Sequence, residues 1–238
     1  MSQQNASRWD LCRFVKTLSY FGVVPLLSRL NWFQQWFGSY PDPKVNSALF
    51  TPMINDSAST DRLIFDFTQP SDMLPAIWGA LDDVVMGGVS QSGIQFGVAG
   101  ACFSGQVSTA NSGGFASVRT RNFEPSLDLS DYTGIELRVK GDGNRYKFML
   151  RAETRWDGIA YCYSFDTVAH AWITVRVAFA ALIPVFRAKT VGNSPFAADR
   201  ITSMQLMLSK FEYDGGLNPH FQPGSFQLQI ASIGAYRV

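Results

Sequence analysis

The chain has 238 residues, of which 46% are hydrophobic and 16% charged, and its net charge is +1. That length supports one substantial core, or one domain with an appendage, and the composition excludes general disorder. A balanced charge with no lysine- or arginine-rich block excludes an overall field that would favour nucleic acid.

The first stretch, Trp9 to Phe37, is rich in aromatics and poor in charge: Trp9, Phe14, Tyr20, Phe21, Trp32, Phe33, Trp36 and Phe37. Its least polar part, Leu18–Leu27, is too short to span a bilayer, which needs ~20 apolar residues. Gly22 and Pro25 interrupt it, so the pattern predicts two short helices, about Arg8–Phe21 and Leu26–Phe37. Such a segment can pack on its own domain, or dock on a membrane surface or partner through Trp9, Phe14, Leu18, Trp32, Phe33 and Trp36. A cleaved targeting peptide is a third reading. It lacks the basic–apolar–small order of a secretory signal.

Residues 1–39 therefore read as an aromatic amphipathic helical segment and 40–62 as a turn-rich linker containing Pro41, Pro43 and Pro52. From 63 to 238 the pattern changes to period two. The clearest strand is Gly134–Lys140, with Ile135, Leu137 and Val139 on one face and Glu136, Arg138 and Lys140 on the other. Gly141-Asp142-Gly143-Asn144 reads as a hairpin turn into Tyr146, Phe148 and Leu150. Ala160–Phe165, Trp172–Val177, Ser203–Ser209 and Ser225–Ile233 add strands, with a short helix expected near Ala178–Ile183. Many short strands without βαβ alternation predict an all-β sandwich.

Two segments stand out chemically. In Asp82-Asp83-Val84-Val85-Met86-Gly87-Gly88-Val89-Ser90, adjacent carboxylates precede a double glycine and a serine. Asn111-Ser112-Gly113-Gly114-Phe115-Ala116-Ser117-Val118-Arg119 repeats the theme. Paired glycines suit positive φ or close approach of another segment. Neighbouring strand residues face opposite ways, so Asp82 and Asp83 converge on one ligand only if the strand bulges. The structural alternative is that one caps a loop while the other pairs with a base such as Arg119. Trp156-Asp157-Gly158 is a loop that could stack and hydrogen-bond a sugar, form a protein hot spot, or cover a sandwich edge.

Catalytic signals are few. Cys12, Cys102 and Cys162 are widely spaced with no CxxC pair, which speaks against a structural zinc or iron–sulfur site and for a reducing compartment. His170 and His220 sit in turn-like contexts, so the commonest general base and metal ligand is scarce. No GxSxG, HExxH or P-loop motif occurs. Neither a cofactor nor a metal is expected.

Taken with Trp78, Phe103-Ser104-Gly105, the Gly134–Gly143 run, Arg145-Tyr146-Lys147-Phe148 and the closing Phe226-Leu228-Ile230-Ile233-Gly234, the two glycine segments resemble the CIA30 family, the complex I intermediate-associated proteins. The resemblance covers roughly Leu63–Val238. It implies a galactose-binding-like jelly roll and a non-enzymatic assembly factor for a membrane-bound electron-transfer complex, respiratory or photosynthetic. In plants a related domain lies within a reductase-like protein. Here no GxGxxG follows a strand, so that part of the resemblance is missing. The implied partners are protein subunits of a membrane complex, with peripheral membrane contact. The matched polar and aromatic set for ligand or partner binding is Trp78, Asp82, Asp83, Asn111, Arg119, Trp156 and Asp157.

Two other functions compete. A carbohydrate-binding module rests on the sandwich and Trp156-Asp157, and fold analogy is its only other support. A glycoside hydrolase would need carboxylates about 5–10 Å apart among Asp82, Asp83, Glu124 and Asp157.

Overall fold

The computed structural model describes residues 10–21 and 62–238. The second expected helix, the linker up to Asp61, and Trp9, Trp32, Phe33 and Trp36 lie outside the described residues. The first helix, α1, spans Leu11–Tyr20. Asp10 caps it, its Oδ1 accepting from the backbone N–H of Cys12 and Arg13 at 2.8 and 3.1 Å. Such a cap satisfies two of the four N–H groups that a helix start leaves without partners.

Two antiparallel sheets follow. One holds β1 (Arg62–Asp66), β3 (Gln91–Gly97), β4 (Gly100–Val107), β6 (Gly134–Lys140), β9 (Trp172–Ala178) and β13 (Gly224–Tyr236), in the order β3-β4-β13-β6-β9. The long β13 pairs with β4 through its first half and with β1 through its second. The other sheet holds β2 (Trp78–Ala80), β5 (Phe115–Thr120), β7 (Arg145–Arg151), β8 (Ala160–Asp166), β10 (Ile183–Phe186), β11 (Lys189–Thr190) and β12 (Ser203–Ser209), in the order β11-β10-β8-β7-β12-β5-β2. Between the sheets lie the alternate residues that the period-two pattern marks, among them Ile135, Leu137, Val139, Tyr146, Phe148, Leu150, Leu206 and Leu228, all buried. Each large apolar side chain so buried contributes ~1.5–3 kcal/mol before ordering costs.

Two local expectations are corrected. Gly141–Asn144 does not close a hairpin: β6 pairs with β13 and β9, whereas β7 pairs with β12 and β8 in the opposite sheet. The loop is a corner between sheets. Asp142 holds it, accepting from Asn144 N, Tyr146 Oη and Gln227 N. The helix expected near Ala178–Ile183 is a single 3-10 turn, Phe179–Ala181, before β10.

Helix α1 packs on its own domain, against β2 and the 3-10 turn Asp83–Met86. Tyr20 Oη donates to the Pro75 carbonyl at 3.1 Å, and Arg121 stacks on the Tyr20 ring 4.0 Å from its centroid while donating to the Tyr20 carbonyl at 2.7 Å. Gly79 makes room for that ring, because a Cβ there would overlap it. Phe14 and Leu18, expected to face a membrane or partner, are half-buried, while Leu11 is exposed. Among the described residues no helix is long and apolar enough to cross a membrane.

Candidate functional site

The two glycine segments meet at one carboxylate. Asp83 is 1% exposed, and it accepts from Ser90 N at 2.8 Å, Ser90 Oγ at 2.6 Å, Gly114 N at 2.7 Å and Phe115 N at 3.3 Å. Each double glycine supplies one residue of positive φ, Gly87 at +90° and Gly114 at +139°, and one that leaves space for Asp83. A Cβ on Gly88 or Gly113 would overlap the Asp83 carboxyl group. Asn111, exposed at φ +54°, adds a long hydrogen bond from Nδ2 to the Gly87 carbonyl at 3.4 Å.

Asp82 diverges from its neighbour. It accepts from Ser92 N, Ser92 Oγ and Ser117 N at 2.8, 2.5 and 3.0 Å, and from Arg13 of α1 at 3.2 Å. Arg13 also donates to the Ser90 carbonyl at 2.9 Å. Burial pushes the Asp82 carboxyl up to about 6, against the pull of Ser92, Ser117 and, last, Arg13. The expected Asp–Arg119 pair is therefore corrected: the cation is Arg13. Both carboxylates are occupied by protein donors, which ties them to loop and helix attachment and leaves the paired-carboxylate hydrolase reading without its central pair. Glu124 is exposed.

Trp78 is also corrected as a ligand contact. It is 2% exposed, with its ring against Phe65 and Phe67 in the core. Asp157 is exposed and faces Arg187 at 3.3 Å and Arg155 at 3.7 Å. Arg187 beside it holds its carboxyl below the usual range.

Arg119 and Trp156 do meet, on the outer face of the seven-stranded sheet. Arg119 Nη1 donates to the Trp156 carbonyl at 3.1 Å and Nη2 to Asn122 Oδ1 at 3.4 Å. The rings of Trp156 and Phe21 pack 5.3 Å apart, and the guanidinium lies 5.8 Å from each centroid. Burial, then the charge of Arg151, pushes Arg119 down to about 9. The same face carries Lys147, which donates to the carbonyls of Phe211 and Glu212 and stacks on Tyr213.

Sequence reasoning missed Arg13, Ser90 and Ser92 as anchors of the two carboxylates, and Arg151, Gln205 and Ser203 as neighbours of Arg119. Strand phase held a signal for the second group. Arg151 alternates with Leu150, and Gln205 with Leu206, so both had to face outward. Among the described residues no group of three or more His, Cys, Asp or Glu is placed to hold a metal ion.

The two-sheet architecture is that of galactose-binding-like modules. It is similar to the family 11 carbohydrate-binding module from Clostridium thermocellum in complex with a β-1,3-1,4-mixed-linked tetrasaccharide, at 19% identity and TM-score 0.53, over 76% of this chain and 98% of that one. The family 11 module of the cellulosomal cellulase Lic26A-Cel5E of Clostridium thermocellum gives 19% and 0.53, over 76% and 97%. An agarase, AgWH50C, gives 8% and 0.51, over 76% of this chain and 25% of the agarase. At such identities the likeness shows the fold alone. No curated protein matches the chain by sequence. Residues 65–230 match the family Complex I intermediate-associated protein 30 (CIA30). The chain belongs to that family.

Proposed function

We propose that this protein is a non-enzymatic assembly factor that binds a subunit or intermediate of a membrane-bound electron-transfer complex, respiratory complex I being the one its family name points to. The observation that carries this reading is the family match across residues 65–230. The binding surface we assign includes the loops of Trp156, Asp157 and Asn111, with Arg119 buried against Trp156. An aromatic beside a guanidinium is the composition of protein hot spots. Asp82 and Asp83 support that surface by fixing loops and α1. Membrane contact would be peripheral and would rest on Trp9, Trp32, Phe33 and Trp36, since Phe14 and Leu18 are half-buried.

Capture from detergent-solubilised membranes tests this. Full-length protein should retain subunits of one electron-transfer complex, identified by mass spectrometry, and Trp156→Ala should retain far less. Retention of glycans with no such subunit would favour a second reading, carbohydrate binding. An open groove of about 420 Å3 on β3 and β4, lined by Gln91, Gln95, Ser104 and Gln106 among others, supplies amides and hydroxyls for that. It has no aromatic ring to stack on a pyranose.

A further inference from the structure

On the outer face of the seven-stranded sheet, four polar atoms on three adjacent strands are buried without a hydrogen-bond partner among the described residues. Arg119 on β5 stands opposite Gln205 on β12, and Ser203 on β12 stands opposite Arg151 on β7. Arg119 Nε, Arg151 Nε, Gln205 Oε1 and Ser203 Oγ are all enclosed, and among the described residues none makes a hydrogen bond. Arg119 is 2% exposed, Gln205 3% and Ser203 1%. The remaining bonds of the two guanidinium groups run to neutral acceptors: Trp156 O and Asn122 Oδ1 for Arg119, Gly158 O for Arg151. Among the described residues neither has a carboxylate within ion-pair distance, although Arg145 and Lys147 on the same face both share Glu212. Arg151 is half-buried and lies within the influence of the Glu153 and Asp157 carboxylates, whereas Arg119 is buried and feels only the repulsion of Arg151, which is strongly unfavourable for a charge. Orphaned polar atoms gathered in this way are a place where a further group can supply the hydrogen bonds.

The free groups specify the missing partner. Two Nε–H donors call for an oxyanion, and guanidinium matches carboxylate with planar geometry. Gln205 Nε2 is committed to Ser117 Oγ at 3.0 Å, so its free Oε1 calls for a donor beside that oxyanion. An acidic peptide carries both, a side-chain carboxylate and a backbone N–H. We propose that Arg119, Arg151, Gln205 and Ser203 form a receptor for a glutamate or aspartate of a partner protein. This rests on the partner-binding reading above and names its chemistry. The rings of Phe21 and Trp156 roof Arg119, so the acidic segment enters by displacing Phe21 at the end of α1.

The test is titration of the full-length protein with a hexaglutamate peptide, following the arginine Nε–Hε signals by NMR. Hexaglutamine, glucuronate and inorganic phosphate serve as comparison probes. The expected result is saturable shifts of the Arg119 and Arg151 signals with hexaglutamate and none with hexaglutamine. Binding should weaken roughly tenfold or more in Arg151→Lys and in Arg119→Lys, the loss of one charge-assisted bidentate pair. It should tighten in Phe21→Ala. No shift with hexaglutamate in the wild-type protein overturns the proposal, whatever the variants do. Glucuronate binding without hexaglutamate binding overturns it in favour of a sugar acid, and equal shifts with phosphate overturn it in favour of an unspecific anion site. If the peptide fails while membrane subunits are still captured, only the receptor falls. If the peptide binds and capture fails, only the partner-binding reading falls.

Discussion

Asp83 Oδ2 accepts a hydrogen bond from Gly114 N at 2.7 Å, and this contact joins the two double-glycine segments across the chain. Gly88 and Gly113 press on the same carboxyl group from two sides. The four glycines thus fall into two classes. Gly87 and Gly114 are needed for their backbone conformation, Gly114 lying also against the Lys210 side chain, and Gly88 and Gly113 for the absence of a side chain.

That division predicts an order of mutational cost. Gly87→Ala meets open space and should lose ~1–2 kcal/mol through its left-handed backbone alone. Gly88→Ala must move Asp83 and should lose more, about 2–4 kcal/mol. Chemical denaturation of the two variants checks the order. Equal losses would mean that Asp83 relaxes freely.

Asp83→Ala should be among the most damaging single changes in the chain. It strips the Gly114 and Phe115 N–H groups and Ser90 of their acceptor in a closed site. Leaving such donors unpaired costs ~1–3 kcal/mol each at most, so a loss of about 3–5 kcal/mol is expected. Thermal unfolding measures it, and a change under 1 kcal/mol would be incompatible with the clamp.

Asp82 sets a pH dependence with a definite sign. Its folded pKa of about 6 lies above the usual 3.8, so the folded state takes up the proton first. The contribution of this group is fully present below the unfolded value and is lost as pH rises through about 6, with a ceiling of about 3 kcal/mol. Unfolding free energies from about pH 4 to 7.5 should fall with pH more steeply in the wild type than in Asp82→Asn. Parallel curves would show that Asp82 titrates normally.

Attachment of α1 should depend more on Tyr20 and Arg121 than on the ion pair. Arg13 is the weakest of the influences on Asp82, and its side chain remains partly exposed. Arg13→Ala should therefore cost only ~1 kcal/mol. Removing residues 10–21 should lower the melting temperature, since the Tyr20 ring, its cation-π contact and two backbone-directed hydrogen bonds go with it. An unchanged melting temperature would restore α1 to the role of a free docking helix.

The sandwich was legible because alternation survives in strands such as Gly134–Lys140, whose Ile135, Leu137 and Val139 face a core while Glu136 and Arg138 do not. Alternation does not say which strand lies alongside. The Gly141–Asn144 corner carries the residues of a hairpin turn, yet Tyr146 and Phe148 reach the same core from the opposite sheet. The carboxylate partners were hidden for a different reason. Arg13 lies far from Asp82 in sequence and on a helix, where a lone basic residue reads as a solvated face. Arg119 looked like an ion-pair partner because it sits near the aspartates in the motif pattern, but it stands on β5 toward Trp156 and Arg151. The family resemblance pointed to the right domain, and residues 65–230 bear it out. It could not separate the residues that build the loops, Asp82 and Asp83, from those left facing outward.

The central claim is that this protein assists assembly of a membrane-bound electron-transfer complex. Its most direct test is the amount of assembled complex, resolved on native gels from membranes of cells lacking the gene and from cells complemented with wild-type protein or Trp156→Ala. The expected result is that subcomplexes accumulate without the gene, that wild-type protein restores the full complex, and that Trp156→Ala restores it poorly although it folds. Every electron-transfer complex assembling normally in the absence of the gene would contradict the claim.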